Sequence, residues 1–149
     1  MRALVQRVSE AKVTVDGRTI GSAGRGLLIL LGVRTGDTPA DADWLAEKCL
    51  NLRIFEDDQG KFNRSLLEVR GDLLVVSQFT LYGDASHGRR PGFIDAAPPS
   101  VATPLYEHFI HVLRESGLRV ESGVFGARME VYLVNSGPVT LLLEKEHQT

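Results

Sequence analysis

Two short stretches hold the side chains best suited to chemistry: "SQFT", Ser77 to Thr80, and "NSGPVT", Asn135 to Thr140. The first gathers two hydroxyls and an amide at the end of an apolar run. Backbone N–H groups are released where strand pairing stops, so such a cluster can build an anion or oxyanion pocket. A plainer reading is a strand whose serine and threonine satisfy neighbouring backbone. The second stretch interrupts a strand pattern between "MEVYL" and "TLLLE". Pro138 has no N–H to give a central strand and Gly137 has no side chain to pack, so the segment reads as a turn, an edge or a ligand contact. The residues themselves leave those three open.

Other chemistries lack their patterns. "GSAGRGLLIL" has the wrong spacing for a phosphate-binding loop and precedes a strand rather than a helix, which argues against nucleotide binding. His87, His108, His111 and His147 show no H-E-x-x-H spacing; His108 and His111 are three apart on a predicted helix without an evident third ligand. No metal and no cofactor are expected. There is no G-x-S-x-G elbow, although a general serine esterase using Ser77 or Ser86 with His87 stays open. Cys49 has no basic neighbour in sequence and reads as a small buried hydrophobe rather than a nucleophile.

The elements that must position these residues follow from periodicity. Residues 1 to 15 alternate as one or two strands, with Ala3, Val5, Val13 and Val15 on alternating positions, and Asp16-Gly17 predicts a hairpin whose second arm runs from Arg18 to Ile20. "GLLILLGV", residues 26 to 33, is apolar on both faces and predicts a central strand covered on both sides. Thr38, Pro39 and Asp41 resemble an N-cap, a first-turn proline and an acidic partner, starting a helix from about Pro39 to Leu52 with Leu45, Cys49 and Leu52 on its apolar stripe. "RIFEDDQGKFN" reads as a short strand, a turn and a return.

"DLLVVSQFTLY", residues 72 to 82, reads as a second buried strand, and "GDASHGRRPGFIDAAPPS" as a long surface loop. A second helix is expected from near Ser100 to Ser116 or Gly117, with Leu105, Phe109, Val112 and Leu113 inward and Pro104 in its first turn. "LRVESGVFG" and "MEVYLVN" predict two strands, the second with Met129, Val131 and Leu133 on one face. "GPVTLLLE" adds a last strand before a frayed "KEHQT". The result is one domain over residues 1–149, of α+β class, with two main helices packed against curved sheet.

A chain of 149 residues can bury a core without a metal or disulfide staple, and a single cysteine excludes an internal disulfide framework. Seventeen Lys plus Arg against 19 Asp plus Glu give no footprint for bulk binding of duplex nucleic acid, though a local basic patch can still meet a few phosphates. The alternating N-terminus is unlike a signal peptide, and no apolar run is long enough to span a bilayer. A soluble cytoplasmic protein without membrane association is expected.

The chain resembles the D-aminoacyl-tRNA deacylases of bacterial and eukaryotic type from end to end. The resemblance is carried by "MRALVQRV", "GLLILLGV", "RIF", "LLVVSQFTLYGD", "GRRPGF" and "MEVYLVNSGPVT". It implies a compact barrel-like antiparallel or mixed β domain with helices outside, working as a homodimer with active sites at the subunit interface. The implied substrate is the acceptor end of a tRNA carrying a D-amino acid, or glycine mischarged on tRNA(Ala), and the implied reaction is ester hydrolysis. It further implies that Gly137-Pro138 is a cis peptide, lent by one subunit to the other's site. Its two carbonyl oxygens would block an L side chain while a D side chain points away. X-Pro is the bond type in which cis is cheap, and a wall excludes an enantiomer better than added affinity does.

By the same resemblance Ser77, Gln78, Phe79 and Thr80 line the ester and adenosine end of the pocket, and Asn135 belongs with Gly137 and Pro138 to the selecting element. Arg7 resembles its hydrogen-bonding brace, and Phe125 and Met129 resemble pocket neighbours. Backbone N–H groups around Gln78 and Phe79 are assigned to the developing oxyanion. Thr80 has no activating base nearby in sequence, which favours a positioned water assisted by the ribose 2′-hydroxyl. Arg89 and Gly92 depart from the commoner family form, which has a methionine before Arg-Pro and often a serine after. Arg89, Arg90, Lys61 and Arg64 are the candidate phosphate contacts. A dimeric β-rich protein that merely sequesters an RNA end is the competing class, separable by a hydrolysis assay.

Overall fold

In the computed structural model, which describes residues 1–146, the alternating N-terminal run is a single strand, β1 (Arg2–Val15). Asp16 and Gly17, at φ 50° and 77°, turn it into β2 (Arg18–Ala23), a longer arm than the sequence suggests. β3 (Gly26–Gly32) pairs antiparallel with β1 and parallel with β6 (Asp72–Ser77), and β6 pairs parallel with β7 (Val120–Ser122). β8 (Glu130–Glu144) pairs antiparallel with β1, which makes a six-stranded mixed sheet. β2 comes round to β7 and the start of β6, where Glu121 of β7 accepts the Ser22 amide at 2.9 Å and Asp72 of β6 accepts the Gly24 amide at 2.8 Å. These contacts nearly close the sheet into a barrel.

The doubly apolar run is explained by two cores. Leu27, Ile29 and Leu31 of β3, with Leu73 and Val75 of β6, face the helices; Leu28, Leu74 and Val76 face inward with Val8, Ala11 and Val13 of β1. α1 (Pro39–Asn51) packs on α3 (Pro99–Glu115) over the first core. Asp41 accepts the Thr38 N–H at 2.8 Å and its hydroxyl at 3.1 Å, the return half of a capping box, as expected of the acidic partner at the third helical position. A short helix, α2 (Leu66–Val69), was not anticipated, although Ser65 and Glu68 carry the capping pattern. The strands β4 (Phe55–Glu56) and β5 (Phe62–Arg64) form the small hairpin read from "RIFEDDQGKFN".

Five expectations need correction. The run 72–82 is not one strand: β6 stops at Ser77 and Phe79–Tyr82 is a 3-10 turn, because tertiary contacts override its strand propensity. The strand expected through "VESGVFG" ends at Ser122. "MEVYL" and "GPVTLLLE" are one strand, β8, whose register with β1 shifts between Gln6 and Val8 and again before Glu10; the extra residues bulge opposite Arg7. Pro104 lies in the second turn of α3, because the helix begins at Pro99; the Ser100 carbonyl it cannot satisfy belongs to an exposed residue. Lys145 and Glu146 are not frayed: Lys145 N–H donates to Met1 O at 2.8 Å, and Glu146 accepts Arg34 at 3.0 Å. The rest of that tail, with His147, lies outside the described residues. Among the described residues no helix is long and apolar enough to cross a membrane.

Candidate active site

β6 and β7 run side by side until the Gly123 N–H donates to Val75 O at 2.9 Å, and then they part. β6 continues into Ser77 and Gln78, while β7 leads into the segment that carries Phe125 and Met129. Between the arms lies a cleft of roughly 510 Å³ lined by Ser77, Gln78, Phe79, Phe125 and Met129. The fork therefore brings together five of the residues singled out from sequence. Thr80 stands at the rim, exposed, its hydroxyl accepting the Gln78 side-chain amide. A larger groove of about 730 Å³, along Lys12, Tyr132 and Val134, contains none of them.

The 3-10 turn is held at both ends. At its start Gln78 N–H donates to Leu31 O at 2.8 Å, so that amide is already committed and cannot serve an oxyanion, contrary to expectation. The amides of Phe79 and Thr80 open the turn, where no carbonyl within it can reach them. At its end Arg2 Nη1 donates to Leu81 O at 2.8 Å and its guanidinium lies 4.5 Å over the Tyr82 ring, while Tyr82 O–H donates to Glu146 at 3.2 Å. Burial, then the nearby Glu146 and Asp37 carboxylates, push the Tyr82 phenol well above its usual value, so it stays a donor. Gly32 completes the seat: a Cβ there would stand 3.0 Å from Leu81 Cβ and 3.1 Å from Gln78 O. Arg2, Gly32 and Tyr82 carried no local signal, because each acts through contacts distant in sequence.

Phe79 is 55% exposed and meets Phe93 edge-on at 5.1 Å, which ties the surface loop to the mouth of the cleft. The Thr80 hydroxyl has no carboxylate or imidazole partner among the described residues. Ser86 donates to Asp84 at 2.6 Å, and neither it nor Ser77 bonds His87. Arg64 pairs with Asp58 at 3.0 Å, while Lys61, Arg89 and Arg90 are exposed. Cys49 is fully buried on α1, and burial pushes its thiol up to about 12.

The second motif, Asn135 to Thr140, sits elsewhere on the chain. The Gly137–Pro138 peptide is cis, and both residues are exposed on β8. Asn135 folds the bulge, donating to the Thr140 hydroxyl at 2.9 Å and accepting the Val139 amide at 3.1 Å. Arg7, only 8% exposed, donates to Ser136 O at 3.1 Å and Ile54 O at 2.8 Å, which fixes the bulge to the hairpin. Neither Gly137 nor Pro138 lines the cleft, so one chain does not bring the two motifs together.

The family model described as D-Tyr-tRNA(Tyr) deacylase matches residues 4–144. The chain is 65% identical over 144 residues to a D-aminoacyl-tRNA deacylase of Roseiflexus castenholzii, a match covering 97% of this chain and 92% of that protein. A D-aminoacyl-tRNA deacylase of Thermotoga petrophila is 58% identical, with 97% of each chain covered. A solved structure titled c-Myc DNA Unwinding Element Binding Protein superposes with a TM-score of 0.92 at 41% identity, covering 99% of this chain and 100% of that one.

Proposed function

The chain belongs to the D-Tyr-tRNA(Tyr) deacylase family, and from that premise we propose that it hydrolyses the ester joining a D-amino acid to the terminal adenosine of a tRNA. Glycine mischarged on tRNA(Ala) is a second substrate, since it has no side chain to reject. The observation that carries the reading is the family match over residues 4–144, which spans both the cleft and the Arg7-braced bulge.

The ester lies in the cleft between Gln78–Phe79 and Phe125. The unspent amides of Phe79 and Thr80 receive the negative charge that develops on the carbonyl oxygen, a preorganised arrangement that costs no reorganisation during reaction. A water, oriented by the Gln78 and Thr80 side chains and assisted by the ribose 2′-hydroxyl, attacks the carbonyl carbon. The tetrahedral intermediate collapses with loss of the 3′ oxygen, releasing the free amino acid and tRNA. The protein orients this water rather than forming a covalent bond itself.

Stereochemistry is read by a homodimer. Gly137 and Pro138 of one subunit stand at the mouth of the other's cleft with their carbonyl oxygens against the α-carbon, so an L side chain collides and a D side chain escapes. This arrangement is supported by the exposure of the bulge on its own chain and its separation from the cleft. Arg89, Arg90 and Lys61 contact acceptor-stem phosphates, and the enzyme works in the cytoplasm as a quality control on translation. The net charge of −2 gives little support to duplex DNA as the main ligand.

The test is hydrolysis of matched D- and L-aminoacyl-tRNA. Release from the D form with the L form spared is expected. Binding without release would replace this reading with that of an RNA-end-sequestering protein.

A further inference from the structure

We infer that Tyr106 is a positioning residue that sets the width of the cleft by pinning the fork between β6 and β7, an inference that rests on the deacylase reading. Where a strand pair stops over an open cleft, its last backbone groups need other partners. Past the Gly123–Val75 rung the two arms have no further ladder between them. Tyr106 comes up from α3 to that point. Its phenol donates to Val75 O at 3.0 Å and lies 3.4 Å from Gly123 O, so one hydroxyl touches both arms.

Three further observations agree. Tyr106 is 4% exposed, so the hydroxyl has no water to exchange with and depends on these partners. Its ring lies 6.0 Å from that of Phe125, which lines the cleft on the β7 arm. Burial drives its phenol up to about 12, against the opposing pull of hydrogen bonds from the Ser122 side chain and the Ser77 backbone. The hydroxyl is thus a permanent donor, shared between Val75 O on one arm and Gly123 O on the other. Because α3 is itself packed on α1, both arms are referred to a rigid body. A tyrosine serving only to fill volume has no need of that hydroxyl.

Tyr106→Phe keeps the ring and removes the pin. Deacylation of D-aminoacyl-tRNA is measured for the wild type, for Tyr106→Phe and for Ser65→Ala, which strips the cap of α2 away from the cleft. For Tyr106→Phe, kcat should fall about fivefold to tenfold, the scale of one hydrogen bond's positioning, with KM within about twofold because contacts to the tRNA body are untouched. Ser65→Ala should lower the melting midpoint and keep wild-type kcat. Wild-type kcat in a folded Tyr106→Phe enzyme would overturn the inference, whatever its melting midpoint. If Tyr106→Phe does not fold, Tyr106→His, whose ring N–H can serve only one of the two carbonyls, carries the comparison, with a fall of about twofold to threefold expected; an unchanged kcat there overturns the inference too. A wild type inactive on D-aminoacyl-tRNA would instead sink the deacylase reading. The Phe125 ring resonances, compared with and without the phenol, then still decide on the pin, and their invariance would refute it.

Discussion

A threonine hydroxyl attacks an ester only when a base takes its proton, and the partner of Thr80 is the Gln78 amide, which cannot. Thr80→Ala should therefore keep its single-turnover rate within about fivefold, as expected for a residue that orders water. Complete inactivation with tRNA binding intact would restore a covalent route. Cys49 allows a second test. Its thiol is held protonated up to about 12 in the folded chain, against 9.0 as its ordinary value. The unfolded state loses that proton first, so this contribution to stability is complete below pH 9 and is lost as pH rises toward 12. Urea titrations between those values should show the wild type losing stability about 1.4 kcal/mol per pH unit more steeply than Cys49→Ala, in which only the slope from groups such as the buried Tyr82 and Tyr106 phenols remains. An equal slope in both proteins would assign the effect elsewhere. Cys49 was legible from its place on a helical stripe. The seat of the 3-10 turn was not, because Arg2 and Leu81 meet across 79 positions that no local pattern connects.

At the scale of elements, strong periodicity translated directly: α1, α3 and β3 lie where their patterns place them, within a residue or two. The errors fall where tertiary contacts decide. "FTLY" has strand-forming residues but forms a 3-10 turn because Tyr82 is anchored between Arg2 and Glu146. Pro138 reads as a strand breaker, yet β8 continues because the bulge is taken up opposite Arg7. Arg7 is thus the joint of that element. Arg7→Ala should destabilise the fold by about 1–3 kcal/mol, since the Ile54 and Ser136 carbonyls lose their donors. Arg7→Lys should recover only part, because one ammonium cannot reproduce the guanidinium fork. Equal stability of all three proteins in urea unfolding would show that the bulge holds itself. Gly137 constrains the same joint. At φ +127°, an alanine Cβ would come 2.8 Å from Val139 Cγ2 and 3.0 Å from Arg7 Nη2, so Gly137→Ala must displace the bulge.

For the whole molecule the proposed wall raises the question of which chain would supply it, and subunit mixing answers it. The family resemblance implies one site built from the two motifs of different subunits; within one chain neither Gly137 nor Pro138 lines the cleft. Under the homodimer proposal, Gly137→Ala should leak, hydrolysing L-aminoacyl-tRNA because the displaced bulge no longer excludes it. Gln78→Ala should be nearly inactive, because it removes the water's main partner and also frees the Thr80 hydroxyl that the Gln78 amide holds, whereas Thr80→Ala leaves Gln78 in place. Refold the leaky chain with an excess of the inactive one, and most leaky chains acquire an inactive partner whose own Gly137–Pro138 is intact. Each such dimer retains one working cleft, on the leaky chain, now faced by a normal bulge. Addition of dead subunits should therefore suppress L hydrolysis while D hydrolysis per leaky chain persists. That outcome has no counterpart if a chain gauges its own substrate, for then the leak would follow the Gly137→Ala chain whatever its partner. Persistence of the leak at large excess, with heterodimers verified by mass, would place cleft and wall on the same subunit.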